Sequence, residues 1–360
     1  MIVHALPVFD VSNPAEAVEA LPFMIGLQPE RSIVAFVFNQ RINQPVGVVR
    51  ISPPADPQDW PEAGDDLMHK VQLVLAQASS EADSILLYIC PKGADFRSGK
   101  TTVAHFAPLA AVLSAAARTK GLAVLGTYFA TGTHWWDLQH PGQHPEGIPA
   151  HGPHNPGPVT TEAVVAGIPM PPSMAEIIAR FEPGADAGPA DDEAAVAAAH
   201  RWVDRIRAEG PHAEDARFGD LLDRLLLDGG DGSPLTDLTP EVIADLLTGM
   251  QIRHLRDIGA QFVEPSEVRR AHELWCLLAR RSADRDLRQA AAPLALAGFT
   301  AWLVGEMPAA AIAIEMACMA DPSNRLAHLL AGALEAGTDV EVLADRMRAL
   351  RKARLERRQG

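Results

Sequence analysis

Hydrophobic and polar residues follow two patterns in the first half of the chain. Runs rich in β-branched and aromatic residues predict four strands, at 33–38, 46–52, 84–90 and 122–130, after a short first strand at 2–6. Helical spacing of apolar residues predicts helices that begin at Pro14, near residue 57 and near residue 101. The first two long strands are close enough to form a hairpin, so a purely parallel sheet is not expected. The pattern therefore predicts a mixed α/β domain.

The second half of the chain shows only helical spacing. Helices are predicted at 193–209, 217–227, 240–249, 265–281, 284–304, 308–320, 325–336 and 340–357. Their short connections predict antiparallel neighbours. A stretch rich in Pro, Gly and Asp precedes them and is typical of a linker. We therefore predict an α/β domain at 1–181, a linker at 182–192 and an all-α domain at 193–360.

Residues 131–158 show neither the period of a strand nor that of a helix, and they are rich in Gly, Pro and His. A stretch of this length inside a compact domain is usually functional or mobile, so we expect a long loop. Trp135 and Trp136 lie within it and are expected to hold the loop against its own domain.

One predicted helical pair resembles a tetratricopeptide unit in its spacing. Small and apolar residues stand where such a unit places them, at Ala297, Gly298, Ala301, Ala310, Ile314, Ala317 and Pro322. Stacked units require about three repeats, and one copy is recognisable. An isolated helical hairpin and a repeat-like superhelix both remain open, and the all-α domain is expected to be partly tetratricopeptide-like.

The segment from Leu21 to Ser32 predicts a fixed corner between a helix and a strand. Gly26 can take the left-handed conformation that ends a helix, and Pro29 cannot continue one. The string Leu-Pro-Phe-x-x-Gly-x-x-Pro-x-x-Ser, with the helical signature around Ala301-Trp302, resembles a family of uncharacterised actinobacterial proteins, a domain of unknown function. The resemblance covers about 13–336 and implies an architecture, but it assigns no catalytic residues, because the family has no assigned activity.

Composition narrows the range of functions. The 360 residues are 48% hydrophobic, which suffices for two cores, and the formal net charge is −15. Such an acidic protein is not expected to bind nucleic acid, because phosphate binding requires a basic surface. Basic residues do crowd the C-terminus, at Arg346, Arg348, Arg351, Lys352, Arg354, Arg357 and Arg358. We expect these to form a solvated helix end.

The cysteines and the apolar runs indicate the cellular compartment in which the protein is expected. Three scattered cysteines offer no disulfide framework, and the N-terminus lacks the pattern of a signal peptide. The most apolar run, 290–305, contains Pro293 and is too short to span a bilayer. A cytoplasmic protein without a membrane partner is therefore expected.

A permissive phosphate-loop pattern lies at 94–101, with Ala in place of the first Gly. It follows a predicted strand and opens a predicted helix, as such a loop requires. In that role Gly99 would let the backbone approach phosphates, Lys100 would contact them, and Thr101 would hold magnesium. The bulky loop residues and the absence of an acid in 122–130 favour an ordinary or anion-binding helix start.

Five of the chain's 13 histidines lie within 134–154. Neutral imidazole is a common ligand for zinc, so the candidate metal ligands are His140, His144, His151 and His154. No cysteine or well-placed acid completes a tetrad, and a polar, partly mobile loop is the alternative. Related sequences carry cysteines in this loop, so the histidines are consistent with either ligand exchange or loss of a site.

No complete catalytic set is recognisable, and no cofactor is assigned. The sequence therefore favours a non-enzymatic role in which the helical domain binds a protein partner, with catalysis left open. The alternatives are a nucleotide-binding or hydrolysing protein that uses the loop 94–101, and a metal-binding protein that uses the histidine loop from His134 to His154.

Overall fold

The computed structural model describes residues 9–10, 13–39, 44–54, 56–78, 81–91, 99–140, 142–151, 155–182, 190–227, 235, 238–282 and 287–359. The chain forms two compact units, Val3–Met174 and Ala175–Gly360. The finer division into 1–181, 182–192 and 193–360 stays a prediction. The predicted strand at 2–6 lies outside the described residues.

The first unit is built on one six-stranded sheet. Its strands are β1 Ser32–Asn39, β2 Gln44–Ile51, β3 Ser84–Cys90, β4 Ala123–Ala130, β5 His134–Asp137 and β6 Ile148–Pro149, in the order β2-β1-β3-β4-β5-β6. Its helices are α1 Pro14–Ile25, α2 Trp60–Gln77 after a 3₁₀ turn, α3 Gly99–Thr119 and α4 Pro158–Val165. Helix α5, Met174–Ala179, begins at the division between the units. β3 and β4 are parallel, and the other neighbouring pairs are antiparallel. The prediction of a mixed α/β sheet is confirmed.

Both faces of the sheet are covered, which explains why β1 is a continuous apolar run. Ile33, Ala35 and Val37 pack in a core with α2 and α3, whereas Val34 and Phe36 pack with α1 on the opposite face. Successive side chains of a strand point to opposite faces, so a strand covered on both sides carries apolar residues at every position.

The corner before β1 has the predicted geometry. The Asn13 side chain caps α1 by accepting from the Ala15 N–H, and Gly26 ends the helix with φ 72° and ψ 15°. The backbone N–H of Gln28 then donates to the carbonyl of Pro172 at 2.8 Å. The chain therefore enters β1 in a fixed direction.

The expectation of an irregular loop at 131–158 was wrong in part, because β5 and β6 continue the sheet there. Trp135 packs in the core under α1, and Trp136 packs in the opposite core. Gly147, with φ 84°, is needed beside Trp136, since a Cβ there would lie 2.5 Å from the indole ring. Because the two adjacent Trp residues pack on opposite faces of the sheet, β5 does not show the alternation of apolar and polar residues that predicts a strand.

The second unit is helical throughout its described residues. Its helices are α6 Ala190–Glu209, α7 Pro211–Leu226, α8 Pro240–Met250, α9 Arg253–Gly259, α10 Val268–Ser282, α11 Leu287–Leu303, α12 Met307–Ala320, α13 Arg325–Glu335 and α14 Val340–Gln359. Helix α7 begins at Pro211 rather than at 217, because Pro suits the first position of a helix. Helix α9 was not predicted, since seven residues are too few to show a period.

The α11–α12 pair is closely packed at the position that the small residues predicted. A Cβ at Gly298 would lie 2.6 Å from Cγ1 of Ile314 and 3.1 Å from the carbonyl oxygen of Ala310. The two helices therefore approach through a glycine contact. The tetratricopeptide-like character of the unit stays a prediction.

The basic residues of α14 differ from the expected solvated helix end. Arg351 donates to Glu267 at 2.6 Å, and Arg348 donates through Nε to Glu264 at 3.1 Å. The Arg351 guanidinium also lies 4.8 Å from the ring centre of Phe262. The inner arginines therefore fasten α14 to the segment before α10. None of the described helices is long and apolar enough to cross a membrane.

Candidate functional site

Several element ends meet at one edge of the sheet, which we call the carboxyl edge because β3 and β4 end there. The antiparallel register places the start of β1 beside the end of β3, with Ser32 opposite Cys90. The start of β5 lies beside the end of β4, with Trp135 opposite Ala130. Helix α1 covers one face and α3 the other. In open α/β sheets, ligands bind at such an edge where helices lie on opposite faces of neighbouring strands.

Ser32 and Arg50 form a polar contact at the carboxyl edge. Ser32 is fully buried, and its hydroxyl donates to the carbonyl of Glu30 at 2.7 Å and accepts from Arg50 Nε at 2.7 Å. Burial raises the pKa of the neighbouring Cys90 thiol to about 12, although Arg50 opposes the shift. Cys90 is therefore a neutral thiol. Arg31, just before β1, has a φ of 45°, an uncommon conformation for a residue other than Gly.

The residues of the predicted phosphate loop fall partly within the described structure. Gly99, Lys100 and Thr101 form the first turn of α3, and α3 joins the parallel strands β3 and β4. The N-terminus of α3 therefore lies at the carboxyl edge, where helix N–H groups suit an anion. Residues 92–98, which hold most of the motif, lie outside the described residues.

The structure separates the predicted metal ligands. His151 follows β6 at the carboxyl edge, whereas His140 and His144 lie in the β5–β6 connection at the other end of β5. With a rise of about 3.3 Å per residue, β5 separates its two ends by about 10 Å. His140 Nδ1 lies 2.9 Å from Asp137 Oδ2. His154 lies outside the described residues.

No group of three or more His, Cys, Asp or Glu side chains close enough to hold a metal ion occurs among the described residues. The described histidines are thus not brought together in one site. The carboxyl edge holds the start of α3 together with His151, and the opposite edge holds His140 and His144.

A buried cluster at Glu19 was not predicted from the sequence. The Glu19 side chain on α1 accepts from the N–H groups of Gly157 at 2.8 Å, Val159 at 3.3 Å and Thr160 at 2.9 Å. This carboxylate therefore caps the N-terminus of α4 from another helix. A charged residue in the apolar run from Ala17 to Leu21 is the signal that could have revealed it.

His151 lies beside this cluster. A Cβ at Gly157 would lie 2.4 Å from Oε2 of Glu19 and 2.5 Å from Cγ of His151, so only Gly fits between the two side chains. The Nδ1 atom of His151 is buried and has no hydrogen-bond partner in the described structure. An unsatisfied buried nitrogen is uncommon and points to a water, an ion or a ligand at that atom.

The α12–α13 turn exposes apolar side chains. Met319 is 68% exposed and Leu329 is 67% exposed. Their neighbours Cys318 and His328 lie in contact across the turn, with Sγ 3.9 Å from Nδ1. Met319 and Leu329 each follow one member of this contact, on adjacent helices, and we call the four residues the α12–α13 patch.

A cavity of about 440 Å³ lies among α6, α7 and α8 and is lined by Trp202 and Phe218. Most of its charged residues are paired. Arg205 donates to the two carboxylate oxygens of Glu214 at 3.0 and 2.7 Å, and Arg217 donates to the same group at 3.4 Å. This cavity is therefore the surface of an ion-pair network and offers little charge to a ligand.

Comparison with known proteins gives a family and no activity. A family model described as "Domain of unknown function (DUF4192)" matches residues 14–341. No curated protein matches the chain. No solved structure matches it either.

Proposed function

The chain belongs to the DUF4192 family, a domain of unknown function, and from its geometry we propose a non-enzymatic cytoplasmic protein whose helical unit binds a protein partner. The α12–α13 patch carries this proposal, because Met319 and Leu329 are both about two-thirds exposed on adjacent helices. Exposed apolar side chains that are grouped, rather than single, are typical of interaction surfaces.

The patch lies on a rigid support. α12 packs closely on α11 through Gly298, and the Asn324 side chain caps α13 by accepting from the N–H groups of Leu326 and Ala327. A partner would therefore bind a preformed surface and would pay little ordering entropy. The partner that fits has an apolar side chain or helix face to cover Met319 and Leu329. Free cysteines in the described structure support a reducing compartment.

Affinity purification with matched variants tests the partner. Met319→Ser with Leu329→Ser should lose the proteins that co-purify with the full chain, whereas Val165→Ser should retain them, since Val165 is 83% exposed in the other unit. The same set of co-purifying proteins from all three baits would overturn the proposal. Size-exclusion chromatography separates self-association from a different partner.

A nucleotide-binding role is the second candidate, and the placement of α3 favours it. Gly99, Lys100 and Thr101 begin a helix that connects two parallel strands, which is the context of a phosphate loop. Thermal shift with ATP or GTP and magnesium tests it. Nucleotide should stabilise the wild type and Lys120→Ala, which alters the other end of α3, but not Lys100→Ala. Equal stabilisation of both variants excludes this site.

A metal-binding role through the loop from His134 to His154 is the third candidate. The unpartnered Nδ1 of His151 supports a ligand at that atom. Elemental analysis of protein purified without a histidine tag tests it. Stoichiometric zinc, nickel or iron that is lost in His151→Ala but retained in the exposed His69→Ala supports the role. A substoichiometric metal content removes it.

A further inference from the structure

We propose that a small phosphoanion binds a cavity in the helical unit that is independent of the three candidates above. The cavity has a volume of about 220 Å³ and lies where α8, α9 and α11 meet the α12–α13 turn. Four of its lining residues are arginines, Arg253, Arg256, Arg288 and Arg325. We call it the arginine pocket.

The four arginines come from three helices, and all four line the same cavity. Arg253 is the first residue of α9 and Arg256 lies one turn later, while Arg288 is the second residue of α11. Arg325 is the first residue of α13. No single sequence motif records this group, because its members are far apart in the chain.

The charge in the pocket is unbalanced. Asp321 is the one acid in its lining, against four arginines. Asp321 accepts from the N–H of Ser323 at 2.9 Å and from its hydroxyl at 2.7 Å. These bonds, and then Arg288, hold the pKa of Asp321 below its usual range, so it stays ionised. The described lining residues carry four arginines and one acid, and Asp257 outside the lining offsets the charge of Arg256, so the pocket keeps a positive excess in a chain of net charge −15.

Two of the arginines have no carboxylate partner in the part of the chain that the structure describes. Arg256 donates to Asp257 at 3.0 and 2.6 Å. In contrast, no carboxylate among the described residues pairs with Arg253 or Arg325. Their guanidinium groups are therefore available to an anion, and a guanidinium can donate two parallel hydrogen bonds to a phosphate.

A buried amide also lines the pocket. Asn324 is 8% exposed, and its Oδ1 accepts from the N–H groups of Leu326 at 3.1 Å and Ala327 at 3.2 Å. These bonds fix the orientation of the amide. Its Nδ2 has no acceptor among the described residues and is not a fully buried atom, so it is open to solvent or to a ligand in the cavity.

The arrangement is electrostatically costly without an anion. Arg253 and Arg325, which have no carboxylate partner among the described residues, line the same cavity, and Arg325 lies at a helix N-terminus, where the helix dipole disfavours a cation. A bound anion would reverse both effects. The cavity holds about seven water volumes at roughly 30 Å³ each, which suits one or two phosphate groups. Its polar and charged lining excludes an apolar ligand.

Calorimetric titration of the full chain tests the site with inorganic phosphate, pyrophosphate and ADP, without magnesium and at constant ionic strength. Pyrophosphate should bind more tightly than phosphate, because it carries more charge. Arg253→Gln and Arg325→Gln should each weaken pyrophosphate binding about tenfold or more, since each removes charge-assisted hydrogen bonds. Arg346→Gln, an exposed arginine on α14, should change it less than about twofold.

The outcomes separate this site from the phosphate loop. Binding that survives Lys100→Ala and is lost in Arg253→Gln and Arg325→Gln supports the arginine pocket. Absence of binding at millimolar ligand, equal weakening by Arg346→Gln, or loss in Lys100→Ala alone overturns it. ADP that binds more tightly than pyrophosphate identifies a nucleotide as the source of the phosphates, and equal or weaker binding identifies a free phosphoanion. Arg253 and Arg325 are exposed, so both variants are expected to fold, and unchanged circular dichroism checks this.

Discussion

The Sγ atom of Cys276 lies 3.5 Å from Nε2 of His272, one turn earlier on α10. Nδ1 of the same ring lies 3.1 Å from the carbonyl oxygen of Ala297 on α11. Because a carbonyl oxygen only accepts, Nδ1 carries the proton and Nε2 accepts from the thiol. Burial raises the pKa of Cys276 to about 12 and lowers the pKa of His272, so the pair is neutral. The pair is a structural contact within α10, which His272 links to α11 through Ala297, rather than a nucleophile with its base.

The three thiols should differ in reactivity. In native protein, Cys318 should react with a disulfide reagent first, because it is partly exposed, whereas Cys90 and Cys276 are buried. We expect one rapid equivalent of released chromophore from native protein and three from unfolded protein. Cys318→Ser should remove the rapid equivalent. A rapid reaction in that variant would show that a buried thiol is accessible.

His272 should make stability depend on pH. Its pKa is lowered in the folded state, so the unfolded state binds more protons as the pH falls below the usual histidine value of about 6.5. Stability is therefore full above that pH and decreases below it, with a slope of up to about 1.4 kcal/mol per pH unit. Urea unfolding at several pH values should show a smaller slope in His272→Gln.

Two glycines of the helical unit should respond oppositely to alanine. Gly298→Ala should destabilise by about 1–3 kcal/mol, because its Cβ would overlap Ile314. Gly332→Ala on α13 should stabilise by about 0.5–1 kcal/mol, since no atom lies within 4 Å of its Cβ and alanine favours a helix. Urea unfolding measures both. Equal effects would contradict the close approach of α11 and α12.

Glu19 should be needed for the α1–α4 contact. Glu19→Ala leaves buried N–H groups of Gly157 and Thr160 without an acceptor and should cost about 1–3 kcal/mol. Glu19→Gln retains an acceptor oxygen and should cost less. Glu162→Ala on the exposed side of α4 is the matched control. The free energy of unfolding of each variant is measured. A cost for Glu19→Ala no larger than that for Glu162→Ala would show that Glu19 does not cap α4.

Arg351 should hold α14 in place. Arg351→Ala leaves the carboxylate of Glu267, which is 3% exposed, without its cation and should cost about 3 kcal/mol. Arg346→Ala removes an exposed charge from the same helix and should cost less than about 0.5 kcal/mol. If both variants lost equal stability, the inner arginines would not differ from a solvated helix end.

Local signals predicted the elements that depend on neighbouring residues. The helix start at Pro14, the left-handed Gly26 and the apolar run 33–38 in β1 each follow from the chemistry of a few consecutive residues. The 131–158 stretch was harder, because β5 gains its hydrogen bonds from β4 and carries one Trp on each face. A strand of four residues with apolar side chains on both faces is too short to show a period.

The candidate sites also combine features that local sequence patterns predict with features that only the packing of distant residues decides. The sequence identified Gly99-Lys100-Thr101 as a helix start and indicated histidines in a polar stretch, since both are local patterns. It could not show that His140 and His144 lie at the other end of β5 from His151, because strand pairing decides this. It also missed the Glu19 cap, which joins residues 138 positions apart.

The sequence by itself therefore determined the two classes of architecture, a mixed α/β region followed by helices, together with the corner that leads into β1. Periodicity, caps and turn residues act over a few positions, so they can be read without a partner. Tertiary structure alone decided that Ser32 meets Arg50 and that Arg351 meets Glu267. It also brought Arg253, Arg256, Arg288 and Arg325 to one pocket. These contacts depend on how distant helices and strands pack, which no local pattern encodes.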